Sequence, residues 1–193
     1  GRDPFHPRIG RMSGRFIAVV GPSGVGKDSV MEGLAEALPN LFLARRAITR
    51  PGEAGGEDFD GISEAAFLRL EAEGAFALSW AAHGLHYGIP IAVEMALAEG
   101  RDVLANLSRG VLTEAKLRFA RFEVLSLTAS PQVLAARLRG RGRETEKEIT
   151  ARLARAERAL PGHITAIEID NSGPLEQTVA QALAALYPER AAR

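Results

Sequence analysis

The stretch "FIAVVGPSGVGKDSVMEGLAEAL" (16–38) decides the fold of this sequence. Its apolar start, "FIAVV" (16–20), is typical of a buried strand, and "VMEGLAEAL" (30–38) has helical spacing. Between them lies "GPSGVGKDS" (21–29), which contains three glycines and a lysine. Glycines let the backbone turn tightly and direct several N–H groups at one point, beside the positive end of the helix. The stretch therefore predicts a strand, a phosphate-binding loop and a helix.

Lys27 gives this loop a compact cation that suits the β- and γ-phosphates of a nucleotide, and we predict a catalytic role for it. The alternative is a glycine-rich turn with no ligand. The intact G-x-x-x-x-G-K spacing between a strand and a helix favours phosphate binding. The residues predicted to bind ATP are Gly21, Pro22, Ser23, Gly24, Val25, Gly26, Lys27, Asp28 and Ser29.

Asp28 is an unusual residue at this point of such a loop, where a Ser or Thr hydroxyl normally contacts Mg²⁺. A carboxylate is also a hard oxygen ligand, so we predict that Asp28 contacts Mg²⁺ directly or through water. The alternative is that Asp28 only stabilises the helix N-terminus through the macrodipole. Ser29 points about 100° further round the helix and is a poorer substitute for the missing hydroxyl.

The composition is that of an ordinary globular protein with no electrostatic bias. Lys+Arg and Asp+Glu each number 24, which gives no argument for binding nucleic acid or an anionic membrane. Cysteine is absent, so disulfides and thiolate metal sites are excluded and a cytoplasmic location is expected. No apolar run approaches the roughly 18 residues that a membrane helix needs. The expected partner is a small molecule, and the oligomeric state is left open.

Strand-like runs alternate with helical segments along most of the chain. This alternation predicts βαβ units and a parallel sheet covered on both faces, an α/β three-layer sandwich. We expect "GLHYG" (84–88) to form a turn, and the region from about 45 to 90 to form a small inserted lobe. Residues 1–11 are predicted to be a tag or disordered tail, and 12–190 a single domain. The predicted strands are 16–20, 41–48, 75–80, 102–107, 122–129 and 164–169.

An arginine-rich segment, "RLRGRGRETEKEITARLARAER" (137–158), follows the predicted strand at 122–129. Phosphoryl transfer needs positioned positive charge more than covalent chemistry, and a closing lid can supply it. We predict a lid over about 137–150 with catalytic roles for Arg137, Arg141 and Arg143, near glycines 140 and 142. The alternative is a solvated helix with pairs such as Glu148–Arg152, and this alternative is favoured for Arg155 and Arg158.

The chain resembles the guanylate kinase group of P-loop kinases over residues 15–187. The segments that carry the resemblance are the phosphate loop, "TRPGEAGGEDF" (49–59), "GAFALSWAAHGLHYG" (74–88) and "RLRGRGRE" (137–144). The sequence departs from that group where guanine is bound. Ser79 stands where the resemblance implies a glutamate for the base, and the acidic pair after the next strand is replaced by "LANLSRG" (104–110). The acceptor is therefore expected to differ from GMP.

One branch, the ribose 1,5-bisphosphate phosphokinases, is similar in "GPSGVGKDS", "LSWAAHGLHYG" and "DVLANLSRG". This resemblance implies transfer of the γ-phosphoryl group of ATP to ribose 1,5-bisphosphate, giving 5-phosphoribosyl diphosphate in phosphonate utilisation. We predict Arg50, Arg109 and Tyr87 as acceptor contacts, two guanidinium forks and a phenol donor, with core packing as an equal alternative for Tyr87. The alternatives are a nucleoside monophosphate kinase with relaxed base choice and a non-catalytic protein-binding module, which the intact Lys27 disfavours.

Overall fold

The computed structural model describes residues 13–50, 59–156 and 159–191, and the predicted tail at 1–11 lies outside them. The strands are β1 (Phe16–Val20), β2 (Phe42–Leu43), β3 (Ala47–Ile48), β4 (Asp60–Gly61), β5 (Phe76–Ala82), β6 (Leu85–Pro90), β7 (Val103–Asn106), β8 (Phe122–Thr128) and β9 (Ile167–Asp170). The helices are α1 (Lys27–Ala37), α2 (Glu64–Ala72), α3 (Ala92–Ala98), α4 (Leu112–Arg118), α5 (Pro131–Arg141), α6 (Glu146–Ala156), α7 (Leu175–Leu186) and α8 (Pro188–Ala191), with a 3-10 turn at Arg109–Val111.

The main sheet is parallel, with strand order β2-β7-β1-β8-β9. Its central strand β1 is buried along its whole length, and its side chains alternate between two apolar clusters. Phe16 and Ala18 belong to one cluster and Ile17 and Val19 to the other. Helices cover both faces of a parallel sheet, so the side chains on both faces of β1 are apolar. The sequence of β1 is therefore an unbroken apolar run. The predicted α/β sandwich with a central parallel sheet is confirmed.

A second, smaller sheet has the order β4-β3-β6-β5 and is mainly antiparallel. Two sequence predictions are wrong here. The run 41–48 is two short strands, because the Ala44 amide still bonds Leu104 in the main sheet whereas the Arg46 carbonyl already bonds Asp60 in the second sheet. The segment 84–88 is mostly strand β6, and the turn that joins it to β5 is His83-Gly84. Both turn residues have positive φ (54° and 73°), as a two-residue hairpin with a type I′ turn requires.

The helix starts follow the capping signals in the sequence. The Ser63 hydroxyl accepts from the Ala66 amide at 3.1 Å, and the Ser130 hydroxyl accepts from the Val133 amide at 3.2 Å. Thr145 caps α6 in the same way. Leu160 lies beyond the end of α6 and packs against the cluster that contains Phe16.

A polar network joins the chain at the beginning of the central strands. The Asp102 carboxylate accepts from the Arg15 amide at 2.8 Å and from the Tyr187 hydroxyl at 2.6 Å. Burial alone would raise the pKa of Asp102, yet these hydrogen bonds and the Arg15 charge together lower it. Burial, and then the bond to Asp102, raises the pKa of Tyr187 to about 12. This network fixes the C-terminal helices to the sheet. In the described part of the chain, no helix has the length and apolar character to cross a bilayer.

Candidate active site

Four parallel strands of the main sheet end at one edge. Val19 lies beside Asn106 in the sheet register, and Thr128 lies beside Asp170. The segments that follow these strands therefore meet: the phosphate loop after β1, the 3-10 turn after β7, the start of α5 after β8, and Asn171 after β9. In open α/β sheets, this carboxyl edge is where ligands bind.

The loop between β1 and α1 has the tight backbone that its glycines predict. Gly24 and Gly26 have φ of +83° and +93°, and the Val25 amide bonds the Pro22 carbonyl at 3.2 Å. A Cβ on Gly21 would lie 2.8 Å from Val25 Cγ1 and 2.9 Å from the Leu127 carbonyl oxygen. The loop thus packs directly against β8. It also leads into the N-terminus of α1, whose first residue is Lys27.

The residues that begin α1 differ in exposure. Lys27 and Asp28 are half-buried in its first turn, and Ser29 is exposed. The cap residue Gly26 has no side chain, so it makes no capping hydrogen bond to the first amides of α1. Such amides and the helix dipole favour an anion at this position.

Asn171, which the sequence analysis missed, anchors the loop from behind. Its side chain is 4% exposed and its Nδ2 donates to the Val25 carbonyl at 2.7 Å. Its Oδ1 accepts from the Thr178 hydroxyl at 2.6 Å. The backbone amide of Asn171 donates to the Thr128 carbonyl at 2.7 Å, so the same residue is also bonded to β8. The available signal was a polar residue two positions after the predicted strand at 164–169.

Arg137 reaches the same loop from α5. Its guanidinium donates to the carbonyls of Val25 (3.1 Å) and Asn171 (2.6 Å), with the Gly24 carbonyl at 3.4 Å. The structure therefore places Arg137 against the back of the loop and away from the exposed part of the predicted lid. Gly140 lies within α5 and Gly142 ends it with φ +65°, so only 142–145 is non-helical between α5 and α6.

The segment between α5 and α6 brings two arginines to one carboxylate. Glu144 Oε1 accepts from Arg141 Nη2 at 2.8 Å and lies 3.5 Å from Arg152 Nη2. Arg152 Nη1 also donates to the Ser23 hydroxyl in the phosphate loop at 2.6 Å. The pair Glu148–Arg152, given above as an example of the alternative reading, is replaced by contacts of Arg152 with Ser23 and Glu144. Arg143, predicted to be catalytic, is exposed.

Arg155 and Arg158 are the two arginines for which the sequence favours a solvated helix. Arg155 donates to the Ala151 carbonyl of its own helix at 3.4 Å. Arg158 lies outside the described residues.

The acceptor residues predicted from the sequence lie on two neighbouring surfaces. Tyr87 is 8% exposed and stacks against Trp80, with ring centroids 5.4 Å apart and planes 8° apart. The Trp80 indole donates to the Ser108 hydroxyl at 3.0 Å, which ties the second sheet to the end of β7. The Arg50 guanidinium lies 4.3 Å above the Phe59 ring, and its buried Nε has no hydrogen-bond partner in the described part of the chain.

Arg109 lies next to Ser108 but points across to α6. Its Nη1 donates to the Arg155 carbonyl at 3.1 Å, and its Nη2 to the Ala156 carbonyl at 3.5 Å. These are carbonyls of the last turn of α6, which lack helical partners. Arg109 therefore links the acceptor side to the helix that carries Arg152.

The two histidines of the second sheet lie away from this edge. His83 is exposed in the hairpin turn. His86 contacts α2, with its Nε2 3.5 Å from Glu64 Oε1 and its ring 5.2 Å from Phe67. Because side chains alternate along a strand, His86 faces away from the side of β6 that carries Tyr87.

Similarity to known proteins agrees with this geometry. Residues 13–185 match the guanylate kinase family model. The ribose 1,5-bisphosphate phosphokinase PhnN of Ruegeria sp. (strain TM1040) is 54% identical over 179 residues, which cover 92% of this chain and 94% of that protein. The protein of the same name from Rhizobium etli (strain CIAT 652) is 44% identical, covering 94% of this chain and 93% of its own.

Among solved structures, the fold is similar to guanylate kinase from Anaplasma phagocytophilum. The TM-score is 0.68 at 18% identity, covering 93% of this chain and 87% of that chain. That likeness shows the P-loop kinase fold, whereas the two relatives match at high identity over nearly their whole length. The chain therefore belongs to the ribose 1,5-bisphosphate phosphokinases, a family within the guanylate kinase group.

Proposed function

We propose that this protein transfers the γ-phosphoryl group of ATP to ribose 1,5-bisphosphate, giving 5-phosphoribosyl diphosphate and ADP in phosphonate utilisation. The observation that carries the proposal is the phosphate loop at the carboxyl edge of the sheet, anchored by Asn171 and Arg137, in a chain 54% identical to a relative of that name. We further propose a single cytoplasmic domain over 12–190, with an acceptor lobe at about 45–90 and a lid at about 137–150.

The loop and Lys27 are proposed to hold the ATP phosphates. Loop amides and the positive end of α1 would bind the β-phosphate, and the Lys27 ammonium would contact the γ-phosphate. Among the described residues, no group of three or more His, Cys, Asp or Glu side chains could hold a metal by itself. Mg²⁺ usually binds through one or two carboxylates together with substrate phosphates, and Asp28 at the start of α1 fits that donor set. When bound, Mg²⁺ would neutralise charge on the phosphates.

The acceptor is proposed to bind between the second sheet and the end of β7. Arg50 has a buried Nε without a described partner, which a phosphate oxygen would satisfy. The Tyr87 ring is fixed by Trp80, so its hydroxyl would be held in place for the sugar or a phosphate. Arg109 directly follows Ser108 at the end of β7, and its guanidinium fork has the geometry to bind an acceptor phosphate.

The reaction needs little covalent chemistry from the protein. An oxygen of the acceptor phosphate attacks the γ-phosphorus, and the bond from that phosphorus to the bridging oxygen breaks as ADP leaves with the electron pair. The attacking oxygen is already anionic near neutral pH, so no general base has to remove a proton. What remains for the protein is positioning and stabilisation of charge by Lys27, Arg137, Arg141 and Arg143.

A coupled ADP-release assay tests this proposal. Four reactions contain ribose 1,5-bisphosphate, GMP, AMP or no acceptor, each with ATP and Mg²⁺, and product formation is followed by phosphorus NMR. We expect turnover with ribose 1,5-bisphosphate alone and a new diphosphate signal. Turnover with GMP but not with the sugar bisphosphate would make the protein a nucleoside monophosphate kinase. Failure to bind ATP at all would favour the non-catalytic module.

A further inference from the structure

Glu144 is a carboxylate in an unusual place for a short surface turn. It lies in the non-helical segment 142–145, yet its side chain is only 4% exposed. Its Oε1 faces two arginines, whereas its Oε2 is buried and has no hydrogen-bond partner among the described residues. A buried carboxylate oxygen without a donor is destabilising. Fold stability alone therefore does not explain why an ionisable residue lies at this point.

The contacts of Glu144 lead to the phosphate loop. Arg141 approaches Oε1 from the end of α5 at 2.8 Å, and Arg152 approaches the same oxygen from the middle of α6 at 3.5 Å. The other terminal nitrogen of Arg152 donates to the Ser23 hydroxyl at 2.6 Å. One carboxylate thus joins two helices and, through Arg152, the loop proposed to hold the nucleotide.

A second ion pair, which joins α5 directly to α6, lacks these properties. Glu146 binds Arg139 at 2.8 Å, but the two side chains are 71% and 56% exposed. An exposed pair of this kind contributes little, because water and salt screen it. Glu146 lies two residues from Glu144 and has the same chemistry, so it is a matched control for charge and position in the chain.

We propose that Glu144 is a positioning residue for phosphoryl transfer. It fixes the guanidinium groups of Arg141 and Arg152 on a shared oxygen, so that their remaining N–H donors stay near the loop that receives the nucleotide. Guanidinium groups held in advance need no reorganisation when charge develops on the transferred group. This inference rests on the proposed function. In this proposal Glu144 does not contact the substrate. Its effect on the reaction is exerted entirely through Arg141 and Arg152.

The test compares Glu144→Gln with Glu146→Gln in the ADP-release assay with ribose 1,5-bisphosphate. Gln has nearly the shape of Glu but cannot hold two cations on one anionic oxygen. We expect kcat of Glu144→Gln to fall at least ~10-fold, because arginine charge at the transferred group is no longer fixed in place. KM for ATP should change less than ~3-fold, since an effect confined to the transition state lowers kcat selectively. Glu146→Gln should match the wild type.

A double variant separates positioning from a merely structural role. In an Arg141→Met/Arg152→Met background, Glu144→Gln should cause no further loss of kcat, because the residues through which it acts are gone. An equal loss in that background, or a wild-type kcat for Glu144→Gln alone, would overturn the inference while leaving the proposed function intact. Glu144→Asp, which keeps the charge but shortens the side chain, should retain more activity than Glu144→Gln. A wild type inactive toward ribose 1,5-bisphosphate would overturn both proposals.

Discussion

Replacing Asn171 with alanine should loosen the phosphate loop without touching its sequence. Asn171 holds the Val25 carbonyl through Nδ2 at 2.7 Å and the Thr178 hydroxyl through Oδ1 at 2.6 Å. Its Nδ2 also occupies the space beside Gly26, 2.7 Å from where a Cβ on that glycine would lie. Asn171→Ala removes both hydrogen bonds and leaves a void behind the loop.

The size of the effect depends on whether the Val25 carbonyl and the Thr178 hydroxyl keep another hydrogen-bond partner once Asn171 is removed. A buried polar group left without a partner costs about 1–3 kcal/mol. The Val25 carbonyl keeps its bond from Arg137 at 3.1 Å, and the Thr178 hydroxyl has the Pro174 carbonyl within 3.4 Å. Both groups therefore fall at the lower end, which gives about 2–3 kcal/mol in the free energy of unfolding. For a protein of this size, that lowers Tm by about 4–12 °C.

Urea unfolding and ATP kinetics measure the two consequences separately. We expect KM for ATP to rise by about 3- to 10-fold, because the loop amides are less well fixed before the phosphates bind. Thr178→Val is the matched control: it removes the hydroxyl donor and leaves the Asn171–Val25 bond in place. It should lower stability and leave KM for ATP close to that of the wild type. Equal values of KM in the wild type and Asn171→Ala would refute the anchoring argument.

Three further results are expected. Lys27→Ala should lower kcat at least ~100-fold, because it removes positioned charge at the transferred group; near wild-type turnover would contradict its catalytic role. Gly21→Ala should destabilise by about 1–3 kcal/mol in urea unfolding, since its Cβ would lie 2.9 Å from the Leu127 carbonyl oxygen, whereas Gly110→Ala, with open space around it, should be neutral. The pKa of Tyr187, raised to about 12, means that the protonated phenol stabilises the fold below pH 10, and that this stability is lost as pH rises toward 12. A urea series between pH 9 and pH 12 should therefore show a flatter profile for Tyr187→Phe, and parallel profiles would contradict the assignment.

The parts of the fold that the sequence predicts best are those encoded locally. β1, the loop and α1 lie within 22 consecutive residues, and each has its own signal of apolar run, glycine spacing or helical period. The helix caps at Ser63 and Ser130 likewise depend on residues three apart in the chain. The prediction of one strand over 41–48 was wrong because apolar residues continue along the run while the chain passes from one sheet to the other.

The site residues that the sequence did not reveal depend on contacts between distant segments. Arg152 and Ser23 are 129 positions apart, and Asn171 and Val25 are 146 positions apart. A helical period offered only the alternative pair with Glu148 for Arg152, because it measures only neighbours on one helix. Glu144 gave no signal either, since nothing local distinguishes a buried turn carboxylate from the exposed Glu146.

The manner in which arginines are held also bears on how the site attracts a polyanion. A guanidinium held by carboxylates is largely neutralised, whereas one held by carbonyl oxygens keeps its full positive charge. Arg137 donates to three carbonyls at the loop, and Arg109 donates to two at the end of α6. In these hydrogen bonds, both orientations are fixed by carbonyl dipoles, which carry no net charge. At Glu144 the balance differs, since one anion is shared between two arginines and a net positive charge remains. Geometry is therefore fixed in advance at each of these positions while positive potential is retained, which is what binding ATP and a doubly phosphorylated acceptor side by side requires.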